Sequence, residues 1–422
     1  MKTKFNCKQL FKGKLLLLAG ICLLTATGCE EDEVEEPSPE PTPTAQSAEV
    51  IPCDYFETNR VLVNDTLKDV DYVIDCFIYA FGTTQIIIEE GVTIEFTEDA
   101  GIFMDDNSRL IAEGTAEAPI TFSGTEKTKG SWRGIFIDSY GDNSIQHAKI
   151  EYAGGTPFSS TSPVYQGSIA VASNSKLDLS HVEVMNGSST GLDLTGHSAE
   201  VSTDNLTVSG NEGSAVRVCG YQAHIFNNTS TFVGNASDYI NIVENYYEIE
   251  TTANWKKLDV PYLVDNRIHV KDGGHLTLEA GVEVLFKEDA YLQAAGMFPY
   301  DYSLNISGTP ADPVRLLAHG DNGWGGIYYS FTPESNIVKH AIIDGARGDI
   351  SVGNITNSGA IYMHADPQLT IENTEFRNLP NCAYYAYTGA SNNAPDLPNF
   401  TAQNITLTDV LGAEFCWGDG SE

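Results

Sequence analysis

The sequence predicts an all-β fold: a single elongated solenoid of stacked parallel strands, built from two duplicated modules. Three observations carry that expectation. Short runs alternate apolar and polar residues, as in Ile86, Ile88, Val92, Ile94 and Phe96, and are separated by Gly, Asn, Asp or Pro. A series of segments then recurs in one order, so that "GTAEAPITF" at Gly114 returns as "GTPADPVRL" at Gly308. Between the two series, "GLDL" at Gly191, "AVRV" at Ala215 and "YINI" at Tyr239 follow one another every 24 residues. One rung of about 20–25 residues with three short strands is what a parallel solenoid requires.

Residues 1–28 read as a targeting segment rather than as part of the fold. Lys2, Lys4, Lys8, Lys12 and Lys14 form a basic start, and Leu15 to Leu24 form an apolar run too short to span a bilayer comfortably. Ala26-Thr27-Gly28-Cys29 resembles the lipobox of bacterial lipoproteins, with Ala26 where Leu is more usual, and this implies lipidation of Cys29. The acidic run Glu30, Glu31, Asp32, Glu33, Glu35 and Glu36 resembles the surface-export signal of Bacteroidota lipoproteins. The expected location is the outer membrane, lipid-anchored and exposed at the cell surface. Loss of the five lysines takes the formal net charge from −35 to −40. Such a chain repels nucleic acid and anionic membranes. Residues 29–50, with "EEPSPEPTPT", are an acidic, Pro-rich tether that favours extended polyproline II over any core.

Residues 51–250 are expected to form the first module, with regular rungs, and 251–422 the second. "DVDYVID" at Asp69 matches "DVPYLVD" at Asp259, and "IIIEEGVTIEF" at Ile86 matches "LTLEAGVEVLF" at Leu276. After the Gly-Thr-x-x-x-Pro motifs, "GSWRGIFI" at Gly130 matches "NGWGGIYY" at Asn322, and "IQHAKIEYAGG" at Ile145 matches "VKHAIIDGARG" at Val338. Leu110, Ile120, Phe122, Ile135, Ile137, Ile150 and Tyr152 are expected to face inward. An antiparallel sandwich pair offers no place for the 24-residue ladder. The series from "LTLEAGVEVLF" through Gly-Thr-x-x-x-Pro and Gly-x-Trp-x-Gly-Ile to His-Ala looks like that of right-handed parallel β-helix proteins. More narrowly, it is similar to surface and secreted lipoproteins of Bacteroidota that carry this repeat. The resemblance spans about residues 60–415. It implies a single right-handed parallel β-helix and leaves function open.

Outside the cytoplasm disulfides are allowed. Cys53 with Cys76 and Cys382 with Cys416 are the candidate pairs, one near each end, which leaves Cys219 buried and free. Right-handed β-helices include polysaccharide lyases and glycosidases, and a lyase needs a base and a cation for the uronate. Arg133, His147 and Lys149 are the candidates, although positions 133 and 149 become Gly325 and Ile342 in the second series. His147 and His340 both recur before Ala, as expected of a rung corner, and Trp132 and Trp324 read as stacking residues inside the frame. Asp105 with Asp106, Asp138 with Asp142, and Asp321 beside Asn322 lie in predicted turns. Acidic turns lend some support to Ca2+, but no complete loop motif is present. "GDGSE" at Gly418 is acidic and terminal. Because only glycines, prolines and apolar positions align between the series, a monomeric, non-catalytic surface binder of a polysaccharide or a cell-surface partner is the leading expectation. A pectate-lyase-like polysaccharide lyase or glycoside hydrolase, and a display stalk, are the alternatives.

Lipidation through Cys29 has a direct test. Cys29→Ala removes the thiol that would form the thioether, so the variant leaves the membrane fraction. Neutralising Glu30–Glu36 keeps lipidation but lowers accessibility to protease on intact cells. Unchanged membrane attachment of Cys29→Ala would count against the lipobox.

Overall fold

The computed structural model describes residues 46–418, apart from positions 161, 244–247, 333, 349–350, 353–354, 357–358 and 389–394. The leader, Cys29 and the tether up to position 45 lie outside the described residues, as do the last four residues of the acidic terminus.

The alternating runs form short strands that stack in register. In Gln85–Ile88, Ile86 and Ile88 point inward and are buried, and Ile94 and Phe96 do the same in Thr93–Phe96. Every strand pairing among the described residues is parallel, except for a small antiparallel ribbon between Ser351–Val352 and Ile355–Thr356. The 24-residue period is the rung repeat itself, since Leu192 lies opposite Val216 and Val216 opposite Ile240. The fold is therefore a parallel β-helix: three strands per turn, each hydrogen-bonded to its counterpart in the next turn.

One sheet of 13 strands runs from Phe77–Ala80 to Thr406–Val410 and crosses the region between the two series without a break. Ser237–Val243 joins them, pairing with Ser214–Cys219 on one side and Tyr262–Val264 on the other. The join changes the face. In the first series this sheet contains Phe77–Ala80, the strand after the Asp-Val-Asp-Tyr motif. In the second it contains Tyr262–Val264, the strand of the motif itself. Corresponding sheets are thus offset by one face of the prism, and matching surface features point in different directions.

Corners are made by residues in the left-handed region. Strand Asn143–Glu151 bends at His147 (φ 43°) and Lys176–Met185 bends at His181 (φ 55°). The corresponding bend at His340 has φ 45°. Asn and Asp fill most of the other non-glycine left-handed positions, as their short polar side chains permit. Buried Asn143 accepts a bond from Leu110 N (2.8 Å) and donates to Gly141 O and Lys176 O. Asn336 accepts from Leu304 N (2.9 Å) and donates to Glu334 O and Gln368 O. These amides satisfy backbone groups that the turns would otherwise strand in the core.

Leu110, Ile120, Phe122, Ile135, Ile137 and Ile150 are all fully buried. Tyr152 is not part of that row. It sits in the turn after Asn143–Glu151 with φ 64° and stays only half-buried, because the left-handed backbone swings its side chain off the strand alternation. Trp132 and Trp324 are inside, each stacked on the Phe of the preceding turn. Their ring centroids lie 4.4 Å from Phe96 and 4.0 Å from Phe286. Both indoles donate to a backbone carbonyl, Glu151 O at 2.7 Å and Asp344 O at 2.9 Å. Neither is available as a sugar platform. Disulfides join Cys53 to Cys76 and Cys382 to Cys416, with Cα atoms 6.1 Å apart in each; Cys219 is free and buried.

Ile135 lies between Ile102 and Ile169, and Ile327 between Leu292 and Ile361. Ile135→Asp or Ile327→Asp buries a carboxylate between apolar turns and should cost roughly 4 kcal/mol or more. Thermal unfolding followed by circular dichroism checks this; wild-type melting of both variants would refute the register.

Candidate functional site

The Gly-Thr-x-x-x-Pro segment is a turn laid over the His-Ala corner. Gly114 N donates to Gln146 O at 2.9 Å, and Gly308 N to Lys339 O at 2.8 Å. A Cβ at Gly114 would lie 2.5 Å from His147 O, and one at Gly308 would lie 2.2 Å from His340 O. Glycine is needed here for close approach of two backbones. The threonine then closes the turn: Thr115 Oγ1 accepts from Ala118 N, and Thr309 Oγ1 from Asp312 N, both at 3.1 Å.

This turn forms one wall of a cleft, and the cleft occurs twice. In the first series it is lined by Thr115, Pro119, His147, Lys149, His181, Glu183, Asn205 and Thr207, and in the second by Thr309, Pro313, His340, Asn373, Glu375, Asn404 and Thr406. Each has a volume of about 410 Å3. The floor is a stack of corner residues. The rings of His147 and His181 lie 4.4 Å apart, and Asn205 Nδ2 is 3.2 Å from His181 Nε2. In the second cleft Asn404 Nδ2 donates to Asn373 Oδ1 at 3.1 Å.

The clefts also match in their charged groups. Glu183 and Glu375 both stand two residues beyond a corner. Lys149 Nζ lies 3.9 Å from Glu183, across adjacent strands. Ile342 replaces Lys149 in the second cleft, but Arg377 lies 2.7 Å from Glu375 along the same strand. The bond from Arg377 holds the Glu375 carboxyl below the ordinary carboxylate range, and Thr408 Oγ1 donates to it at 3.0 Å. The carboxylate of each cleft is therefore paired with a cation, which lines the cleft in the first series (Lys149) and lies outside the lining in the second (Arg377).

The recurrent set is thus larger than the glycine and apolar frame read from the sequence. It adds Glu183 with Glu375, Asn205 with Asn404, and Thr207 with Thr406. Sequence comparison passed over them because the corner-to-corner spacings differ: 34 and 24 residues from His147 to His181 to Asn205, but 33 and 31 from His340 to Asn373 to Asn404. The only local signal was Glu two places after the corner, and Asn-x-Thr in the following turn.

The three catalytic candidates do not form one site. His147 and Lys149 line the first cleft. Arg133 precedes strand Gly134–Ser139 of a different sheet, with its guanidinium carbon 4.5 Å from the Phe77 ring centroid and its Nη2 3.9 Å from Asp99. Its place is a stacked cation beside an aromatic column. The acidic pairs are also rearranged. Asp138 lies opposite Asp105 on the adjacent strand, whereas Asp142 faces Arg109 and Lys176. Asp105 accepts bonds from Tyr79 OH and from Asp106 N. That bond pushes the Tyr79 hydroxyl up to about 12. Burial, then the charges of Asp105 and Asp106, raise the Asp138 carboxyl above its ordinary value. Asn322, beside Asp321, donates to Glu288 at 2.8 Å. Among the described residues no group of three or more His, Cys, Asp or Glu converges to hold a metal ion, and no helix is long and apolar enough to cross a membrane.

Compared with known proteins, the chain matches no family model, no curated protein and no solved structure.

Asp138 yields a pH prediction. Its pKa is higher folded than unfolded, so protonation favours the fold. That contribution is fully present below the unfolded value and is lost as pH rises through the folded one. At neutral pH the ionised group opposes folding. Asp138→Asn should raise Tm at pH 7 and change it less at about pH 3, where the wild-type carboxyl is also neutral. A lower Tm at pH 7 would show instead that the carboxylate has a favourable partner.

Proposed function

We propose that the protein is a non-catalytic, lipid-anchored surface protein of the outer membrane that binds an extended partner, a glycan or the surface of another cell, along the faces of its β-helix. The observation that carries this reading is the recurrent cleft. Its shape, corner stack, carboxylate and threonines appear twice, while the groups proposed for catalysis are scattered or replaced. Recognition spread over two modest sites tolerates Ile342 in place of Lys149. A reaction that needs the lysine as a proton carrier does not. Carboxylate, amide and hydroxyl groups around a shallow cleft suit the vicinal hydroxyls of sugars. Many copies on one cell would strengthen weak single contacts. The right-handed sense of the helix and the origin of the two series by duplication belong to the same reading, on the sequence matches given above. A glycan-degrading activity retains one observation in its favour, the cross-strand pair Asp105 and Asp138.

A screen of the purified protein against soluble and immobilised glycans, with product analysis of each hit, separates the two. Binding of at least one glycan is expected, with no cleavage of pectin, alginate or neutral glycans, with or without calcium. Glu183→Gln together with Glu375→Gln should weaken it about tenfold, as loss of two charge-assisted contacts implies. New reducing ends or unsaturated uronates would overturn the non-catalytic reading, and their loss in Asp138→Asn would place the activity at the carboxylate pair.

A further inference from the structure

The outward face of one sheet in the second series carries a row of aromatic rings. Three of its six strands, Gly326–Ser330, Gly359–His364 and Cys382–Tyr387, pair in register. Tyr328, Tyr362 and Tyr385 form a buried column with centroids 5.4 and 5.6 Å apart. A second, more open row runs beside it. Phe298 meets Tyr300 at 5.9 Å, Tyr300 stacks on Phe331 at 5.3 Å, Phe331 meets His364 at 5.2 Å, and His364 meets Tyr387 at 5.1 Å. Phe298 is 84% exposed, Phe331 43%, and neighbouring Met297 74%.

Two features make this row more than scattered surface hydrophobes. Tyr300 (φ 65°) and Phe331 (φ 51°) hold left-handed conformations that this chain otherwise gives mostly to Asn and Asp. Bulky residues adopt them at a cost. The row is also anchored. Tyr302 OH donates to Ser330 O at 2.6 Å, and Ser330 Oγ lies 3.0 Å from His364 Nδ1, which fixes the imidazole. Burial lowers the His364 pKa, so the ring is neutral at physiological pH.

We infer that the row Phe298–Tyr300–Phe331–His364–Tyr387 is a stacking site for a neutral polysaccharide chain lying along the β-helix axis. Phe331 follows the end of one strand, and His364 and Tyr387 end the next two, so three rings sit on turns spaced about 4.8 Å apart. Their planes are turned against one another, by 74° between Phe331 and His364 and by 40° between His364 and Tyr387, and form a narrow line of apolar contact points. A chain of equatorially linked sugars offers an apolar face residue after residue that such points can meet, with hydroxyls at its edges. Exposed Asp272 and Asp301, at the Tyr300 end, supply acceptors for those hydroxyls. The net charge of −35 selects against polyuronates and sulfated chains. The inference rests on the binding reading above and adds to it a second surface and a ligand class.

Affinity electrophoresis of the full-length protein tests it, with hydroxyethylcellulose, galactomannan and polygalacturonate as the probes in the gel. Retardation by at least one of the two neutral polymers is expected. Phe298→Ala, whose ring is mostly in solvent, should weaken it about two- to tenfold, and Phe331→Ala by a similar factor. Normal retardation of both variants, retardation only by polygalacturonate, or none by either neutral polymer would overturn the site. If Glu183→Gln/Glu375→Gln abolishes retardation while both aromatic variants keep it, the row is refuted and the cleft-based reading stands. If no probe and no glycan in the wider screen binds, both fall.

Discussion

Stacking in register is the constraint on which everything else in this chain depends. Each turn of the β-helix is bonded to the next through parallel strands about 4.8 Å apart, and each inward side chain rests on its counterpart one turn away. Ile102, Ile135 and Ile169 form such a column, as do Leu292, Ile327 and Ile361. The rule leaves little freedom at the corners. A residue there must turn the chain within one position, and it must satisfy the polar groups that the turn exposes to the core. His147, His181 and His340 do the first with left-handed backbones, and Asn143 and Asn336 do the second from inside.

The same rule explains why surface features come as rows. A residue one place outside the core repeats with the rung, so any outward group acquires neighbours above and below. Lys149 beside Glu183, Asp105 beside Asp138, and the tyrosine column Tyr328, Tyr362 and Tyr385 are all products of register. Arg217 reaches the buried Asp193 at 3.0 Å on the same principle. The surface is therefore a set of linear arrays that follow the stacked turns.

The offset of one face at Ser237–Val243 shapes what those arrays can do. Had the two series continued sheet for sheet, the matching clefts would line up along one side. Because Tyr262–Val264 extends the sheet begun by Phe77–Ala80, they open on different sides of one continuous structure. Under the proposed function, a single molecule could hold two strands of a ligand, or one strand that winds around it, without any movement between parts.

By itself the sequence determined that this chain is all-β and repetitive. Alternation over residues such as Ile86 to Phe96, Gly and Asn at turns, and the 24-residue ladder each reflect a local requirement that every turn must meet, so each is written wherever a turn occurs. His147 and Lys149 were also legible as neighbours, being two residues apart on one strand. Contact between turns was not legible. Whether Asp138 meets Asp105 or Asp142, whether Arg133 joins His147, and whether Glu183 corresponds to Glu375 all depend on how many residues each loop spends before the next strand begins. Those lengths vary from turn to turn, and tertiary register alone resolves them. Only the structure could bring Phe298, Tyr300, Phe331, His364 and Tyr387 into one row, because the residues between them form the rest of each turn and the row exists only when the turns are stacked.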